Sequence, residues 1–213
     1  MTNVMNRNDF FKQWSALHGN ADIKGVVRGW LTISYKACRA LVKFRITPNS
    51  LTLVSLVFAL WYLYFISTHW AIAFLVLSLM ADGLDGSLAI ISNRVTRWGA
   101  ALDSIIDRVV ETIWIAGLYQ LGAPLHLVLI IWVTCFVQEY MRARAGGLGV
   151  HEIGVVTISE RPIRASMIFI VLVSRIFDFQ LAEPISILWA VMQSFSAVTV
   201  LRFLRPLLRQ SQR

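Results

Sequence analysis

Four carboxylates carry the strongest chemical signal in this sequence. Asp82 and Asp85 are three residues apart, and Asp103 and Asp107 are four residues apart. On a helix, each pair therefore projects from one face, and two facing helices would bring all four together. Carboxylates this close repel one another unless a divalent cation lies among them, and their hard oxygen ligands suit magnesium or calcium. The spacing predicts a magnesium site.

Two other interpretations of these carboxylates remain open. Hydrogen bonds from nearby polar groups would satisfy them without a metal but would leave several negative charges unneutralised; these groups belong to Ser87, Ser92, Asn93 and Ser104. Acidic residues inside spans also mark cation transporters and proton relays. Transporters more often place them near the bilayer midplane, in spans related by an internal repeat.

The elements that must position the carboxylates are membrane helices. Of 213 residues, 57% are hydrophobic and only 15% are charged, which is unusual for a globular domain in water. Stretches near the roughly 20 residues that a spanning helix needs lie at about 50–68, 70–92, 99–121, 124–142, 164–180 and 184–203. We expect an all-α, polytopic membrane protein with six transmembrane helices.

The segment before the first span predicts an interfacial amphipathic helix at 29–44, with one polar stripe formed by Thr32, Lys36, Arg39 and Lys43. A soluble helix packed on a domain is the alternative, but no soluble domain remains. The segment is too polar for a cleavable signal peptide, so we expect the N-terminus to be retained. The predicted organisation is a cytoplasmic segment 1–49, a six-helix membrane domain 50–205 and a basic cytoplasmic tail 206–213.

The positive charge predicts the orientation of the spans. The net charge is +8, and Lys and Arg collect before the first span, after spans two and four, and after the last span. The other connections contain no Lys or Arg. The positive-inside rule therefore places both termini and the carboxylates on the cytoplasmic side of the cell membrane. The partner expected for this charge is a lipid bilayer, not nucleic acid.

The carboxylates belong to a longer pattern of fixed spacing, formed by Asp82, Asp85, Gly86, Ala89, Gly99, Asp103 and Asp107. It resembles the signature of the CDP-alcohol phosphatidyltransferase family, which runs Asp-x-x-Asp-Gly-x-x-Ala-Arg, eight residues, then Gly-x-x-x-Asp-x-x-x-Asp. Every spacing agrees. The departure is Ile90, where the family has Arg, and either Arg94 or Arg97 is expected to replace it if the chain is active.

The resemblance implies transfer of a phosphatidyl group from CDP-diacylglycerol to a small polar acceptor, with release of CMP, by a homodimer. It implies magnesium, or manganese, held by Asp82, Asp85 and Asp103. Asp107 is then the catalytic base or a further metal ligand. The residues expected at the CDP-lipid are Thr47, Pro48, Asn49, Ser50, Asp82, Gly86, Ile90 and Thr96.

The acceptor is expected to be phosphorylated. Segments that contain Arg142, Arg144, Arg161 and Arg164 resemble those of bacterial phosphatidylinositol-phosphate synthases, where basic residues are associated with the acceptor's phosphate. Guanidinium groups suit a phosphate better than an uncharged alcohol, and inositol 1-phosphate is the first expectation. Ordinary positive-inside flanking is the alternative for these arginines. Phosphatidylglycerophosphate synthase, cardiolipin synthase and a non-catalytic homologue also remain open for the whole chain.

Overall fold

A computed structural model describes residues 5–17, 19, 21–150 and 155–210. Every regular element in these residues is a helix, which confirms the all-α expectation. The eight helices are α1 (Arg7–Leu17), α2 (Gly25–Lys43), α3 (Pro48–Tyr64), α4 (Trp70–Ile91), α5 (Arg97–Gln120), α6 (Leu125–Gly147), α7 (Arg161–Ile176) and α8 (Ala182–Gln210).

Helices α3 to α8 lie where the six spans were predicted, but several boundaries differ. Helix α6 continues to Gly147 and α8 to Gln210, because backbone hydrogen bonding continues through Arg-rich turns where hydropathy falls. Helix α8 therefore enters the predicted tail, whose residues 211–213 lie outside the described ones. Helix α1 was not predicted, and α2 begins earlier than expected. Helix α2 buries Leu31, Cys38 and Val42.

By length and composition, three of the described helices could each cross a bilayer, namely α4, α6 and α8 over Ala182–Arg209. Helices α2 and α3 would make a fourth span if they are taken together as one span bent by 107°. Helices α3 and α7 have 17 and 16 residues, and α5 carries several charged side chains. A membrane protein is supported, and the count of six spans remains a prediction.

The chain divides into two compact units, and several helices continue from one into the other. Unit 1 comprises residues up to Ala59 and Val76–Val110, and unit 2 comprises Leu60–Leu75 and residues from Glu111 onward. In unit 1 the core includes Phe10 of α1, which is fully buried. The backbone just before α1 is bonded to the end of α4, because the Met5 N–H donates to the Ile91 carbonyl oxygen at 3.3 Å.

Unit 2 packs α6 and α7 against α8. A close approach within this unit requires glycine. The buried Tyr62 hydroxyl donates to the Trp114 carbonyl oxygen at 3.1 Å, and a Cβ on Gly117 would overlap the Tyr62 ring. Any larger residue at Gly117 would therefore displace a buried aromatic side chain.

Candidate active site

Three of the predicted carboxylates converge in unit 1. Asp82 of α4 and Asp103 and Asp107 of α5 each present an oxygen, and these oxygens lie within 4.8 Å of one another. We call these residues the carboxylate cluster. All three are partly buried. Like charges at this spacing strongly favour a bound cation, and carboxylate oxygens are the ligands that magnesium, manganese and calcium accept.

Asp85 lies in the same cavity but has a different environment. It is 6% exposed. Its Oδ2 accepts a hydrogen bond from the Thr52 hydroxyl at 2.6 Å, and its Oδ1 accepts one from the Gly86 N–H at 2.6 Å. Its role as a metal ligand stays a prediction. Thr52 was missed from the sequence, although a polar residue within the apolar stretch of α3 was the available signal.

The cavity has a volume of about 410 Å³ and lies entirely within unit 1. Its lining includes carboxylates of both helices together with six residues predicted to contact the CDP-lipid, namely Pro48, Asn49, Asp82, Gly86, Ile90 and Thr96. A Cβ on Gly86 would meet nothing within 4 Å, so the glycine leaves space beside the carboxylates. The structure thus gathers most of the predicted CDP-lipid residues around one opening.

The other two predicted CDP-lipid residues, Thr47 and Ser50, form the start of α3. The Ser50 N–H donates to the Thr47 Oγ1 at 3.2 Å, and the Thr47 N–H donates to the Ser50 Oγ at 3.1 Å. This reciprocal arrangement is a capping box, with Pro48 as the first helical residue. These two hydrogen bonds fix the start of α3. The first turns of this helix contain Asn49 and Thr52, which line the cavity.

Thr96 similarly caps α5. Its Oγ1 accepts a hydrogen bond from the Gly99 N–H at 2.9 Å, as expected of an N-cap residue. A Cβ on Gly99 would lie 3.0 Å from the Thr96 Oγ1 and 3.2 Å from the Asn49 Oδ1. Gly99 therefore allows α5 to begin close to α3, in the helix that carries Asp103 and Asp107.

The position that departs from the family signature is apolar and packed. Ile90 is 4% exposed, and it belongs to the same core cluster as Phe10 and Leu31. Among the described residues that line the cavity, Arg94 is present and Arg97 is not. Of the two predicted substitutes for the missing arginine, the geometry favours Arg94.

The arginines predicted to bind the acceptor's phosphate lie in unit 2 and differ in environment. Arg164 is 1% exposed. Its guanidinium donates to Glu111 at 2.6 Å, to Glu139 at 3.0 Å and to the Ser159 carbonyl oxygen at 2.8 Å. All three guanidinium nitrogens of Arg164 therefore already donate hydrogen bonds to protein oxygens.

Arg142 is held in a similar way. It donates to Glu160 at 2.7 Å and to the Val155 carbonyl oxygen at 3.0 Å. Burial would raise the pKa of Glu160, but hydrogen bonds from Arg142 and Thr157 outweigh that effect and lower its pKa to about 2. We call Arg142, Arg164, Glu111, Glu139 and Glu160 the ion-pair network.

The remaining two arginines, Arg144 and Arg161, lie outside the ion-pair network as defined above. Arg144 is exposed near the end of α6. The Arg161 guanidinium lies 5.3 Å from the centroid of the Trp114 ring, a cation–π contact. Sequence reasoning missed Glu111 and Glu139, although an ionisable residue within a predicted span calls for a partner.

Several known proteins are similar to this chain. A family model described as CDP-alcohol phosphatidyltransferase matches residues 45–201. The archaetidylinositol phosphate synthase of Aeropyrum pernix is 31% identical over 148 residues, which cover 68% of this chain and 76% of that protein. The phosphatidylinositol phosphate synthase of Corynebacterium glutamicum is 30% identical over 162 residues, which cover 70% of this chain and 69% of that protein.

Solved structures give a similar result. The phosphatidylinositol phosphate synthase of Mycobacterium tuberculosis with CDP-DAG bound matches with a TM-score of 0.66 and 25% identity, over 81% of this chain and 94% of that chain. The same enzyme in complex with manganese and citrate matches with a TM-score of 0.66 and 25% identity, over 80% of this chain and 88% of that chain.

Proposed function

This chain belongs to the CDP-alcohol phosphatidyltransferase family, and on that premise we propose that it transfers a phosphatidyl group from CDP-diacylglycerol to inositol 1-phosphate, with release of CMP. The observation that carries the proposal is the convergence of Asp82, Asp103 and Asp107. Support for the donor comes from the similar structure that holds CDP-DAG. Support for the acceptor comes from relatives named phosphatidylinositol phosphate synthase.

The carboxylate cluster fits a divalent cation, because three carboxylate oxygens from two helices lie within 4.8 Å of one another. We propose that the ion is magnesium, held by Asp82, Asp103 and Asp107, with Asp85 as the predicted fourth ligand. A similar structure contains manganese, which supports a divalent site. The chemistry that such an ion would supply is Lewis-acid stabilisation of the negative charge that grows on the departing CMP.

The chain's own residues would orient the donor and move the proton. Asp107 would accept the proton of the acceptor hydroxyl as its oxygen attacks the lipid-side phosphorus, and the bond from that phosphorus to the CMP oxygen would break. Thr52 holds one oxygen of Asp85 at 2.6 Å, which fixes that carboxylate at the cavity. Arg94, which lines the cavity, would contact a phosphate of the donor.

For the acceptor's phosphate we propose the predicted arginines with divided roles. Direct contact is assigned to Arg144, which is exposed near the end of α6, and the contact of Arg161 with the phosphate stays a prediction. Arg142 and Arg164 already donate to Glu160, Glu111 and Glu139, so their observed partners favour a positioning role. Their direct contact with a phosphate stays a prediction.

We further propose that α3 to α8 cross the membrane as six spans of a homodimer, with both termini and the carboxylate cluster on the cytoplasmic side. Helix α2 would lie on the anionic leaflet. This proposal keeps the predicted organisation, with a cytoplasmic segment 1–49, a membrane domain 50–205 and a cytoplasmic tail 206–213. The absence of Lys and Arg from alternate connections supports the orientation.

One assay tests the function directly. Purified protein with magnesium and CDP-diacylglycerol is given inositol 1-phosphate, glycerol 3-phosphate, inositol, serine or phosphatidylglycerol in turn, and CMP release is measured. We expect release with inositol 1-phosphate only. Release with glycerol 3-phosphate or phosphatidylglycerol instead would identify a different synthase of this family, and no release with any acceptor would sink the proposal.

A further inference from the structure

An aromatic wall borders the cavity that Asp82, Asp85 and Asp103 line. It consists of Trp14 of α1 and Trp30 of α2, both of which line the cavity. Trp30 lies directly against the residue that follows Asp82, since a Cβ on Gly83 would be 2.9 Å from the Trp30 Cζ2. Glycine at 83 thus permits the indole to approach the backbone beside the carboxylates.

The helix that supplies Trp14 is firmly docked in unit 1. Phe10 of the same helix is fully buried, and Trp14 packs against the core cluster that contains Ile90. The Arg7 guanidinium donates to the Thr32 Oγ1 at 3.0 Å, and the Tyr35 hydroxyl donates to the Met5 carbonyl oxygen at 3.1 Å. The aromatic wall is therefore held in place by contacts with α2 and α4.

The aromatic wall comes from a part of the chain that the family model does not match, because that match begins at residue 45. The aromatic wall also lies close to Ile90, the position at which this chain departs from the family signature. Where the signature has Arg, this chain has Ile90, which is buried in the core against which Trp14 packs. An apolar residue at 90 is compatible with an aromatic helix covering this side of the cavity, whereas a buried cation there would be costly.

We infer that the aromatic wall stacks against the cytosine base of the CDP-lipid and of the product CMP, an inference that rests on the proposed function. The phosphates belong at the carboxylates and Arg94, so the base must occupy another part of the cavity. Helix α1 is short and polar, with Arg7, Asp9 and Lys12 among its residues, which places Trp14 on a water-facing element. The nucleotide, unlike the acyl chains, is the part of the donor that belongs in water.

The test compares CMP with ribose 5-phosphate, which has the sugar and phosphate but no base. Affinities of both are measured by calorimetry with magnesium for the parent, Trp14→Leu, Trp30→Leu, Trp14→Phe and Trp30→Phe. We expect each Leu variant to weaken CMP about tenfold, the Phe variants to retain most of the affinity, and ribose 5-phosphate to change little. Trp70→Leu, at an exposed position outside the cavity, is the matched control and should leave the affinity for CMP unchanged.

Two results would overturn the inference. One is an unchanged affinity for CMP in both Leu variants. The other is an equal loss of affinity for ribose 5-phosphate and for CMP, which would indicate a disturbed phosphate site. Because Trp30 packs on Gly83, Trp14→Leu provides the test if Trp30→Leu does not fold. Normal transfer with unchanged CMP affinity in Trp14→Leu would contradict the inference that the aromatic wall stacks against the base, but not the proposed function. Trp-dependent CMP binding in a parent that transfers to no acceptor would sink the proposed function alone.

Discussion

The carboxylate cluster of unit 1 and the ion-pair network of unit 2 differ in the signs of the charges they collect. The cluster gathers three carboxylates within 4.8 Å. The network alternates two arginines with three glutamates, and its Arg164 and Glu111 side chains are 1% and 4% exposed. A group of like charges is costly without a cation, whereas paired charges satisfy one another. The first arrangement is suited to binding, and the second to holding helices together.

This difference predicts opposite responses to the loss of one charge. Removing a carboxylate from the cluster relieves repulsion, so folding should be preserved while function is lost. Removing one partner from the network leaves a buried charge without compensation, so folding should suffer first. Activity and unfolding measured on variants of both groups separate these two responses.

The largest effect is expected at the carboxylate cluster. Asp82→Asn or Asp103→Asn should lower phosphatidyl transfer about a thousandfold or more, because each removes a charged ligand from the proposed metal site. The thermal unfolding midpoint without added metal should stay the same or rise. CMP release and thermal unfolding in detergent measure these two properties, and manganese binding, which should weaken, measures the metal site itself.

Asp22→Asn is the control for these variants. Asp22 is an exposed carboxylate paired with Lys24, and both side chains are 81% exposed, so the same chemical change should alter none of the three measurements. Full magnesium-dependent activity in both Asp82→Asn and Asp103→Asn would contradict the proposed site.

The next effect concerns the ion-pair network. Arg164→Met should lower the free energy of unfolding by about 3–5 kcal/mol, because it removes the guanidinium that donates to the buried Glu111 carboxylate. Combining Arg164→Met with Glu111→Gln should recover part of this loss, since the buried negative charge is removed as well. Unfolding measured in mild detergent checks both variants.

Arg175→Met, an exposed residue on the same helix α7, is the matched control and should be nearly neutral. If Arg164→Met unfolds normally but loses activity, then Arg164 acts on a ligand and the contrast between the two clusters fails at this residue. That result would support the direct phosphate contact predicted from the sequence.

A smaller effect is expected for the cation in unit 1. Arg94→Ala should raise the Michaelis constant for CDP-diacylglycerol about tenfold, because it removes a charge-assisted contact with a phosphate. Arg97→Ala should have little effect, since Arg97 does not line the cavity. Titration of CMP release against the donor, at saturating acceptor, distinguishes the two variants.

Ile90→Arg tests whether Arg94 takes the place of the arginine in the family signature. Ile90 is packed against Phe10 and Leu31, so the new cation should destabilise the protein without lowering the Michaelis constant if Arg94 already contacts the phosphate. A lower Michaelis constant for the donor in Ile90→Arg, together with no effect of Arg94→Ala, would show that Arg94 does not replace the family's arginine.

The parts of this molecule that local sequence determines were predictable. Helices α3 to α8 follow from apolar stretches of spanning length, and the convergence of Asp82 with Asp103 and Asp107 follows from their helical spacing. Their function as ligands stays a prediction. The family followed from the same spacing, and the match over residues 45–201 confirms it.

Partners that depend on tertiary packing were not predictable. Arg164 pairs with Glu111, which is 53 positions away in the chain, and no local pattern selects that carboxylate over another. Helix α1 was missed because it is short and polar overall, and the burial of Phe10 arises from contacts with other helices. Asp85 is held by Thr52 through a contact between α3 and α4 that spacing alone does not reveal.

The smallest predicted effect is the pH dependence of the ion-pair network. The pKa of Glu160 is lowered to about 2 from its usual 4.5, so its contribution to stability is complete above about pH 4.5 and is lost as the pH falls toward 2. At pH 3.5 the loss should be about 1 kcal/mol, after allowance for partial exposure. In Glu160→Gln no such proton uptake occurs, so the parent should exceed the variant in stability at pH 6 by more than at pH 3.5. Unfolding of both proteins at the two pH values measures this difference, and a constant gap would show that Arg142 does not hold the Glu160 carboxylate in its charged form.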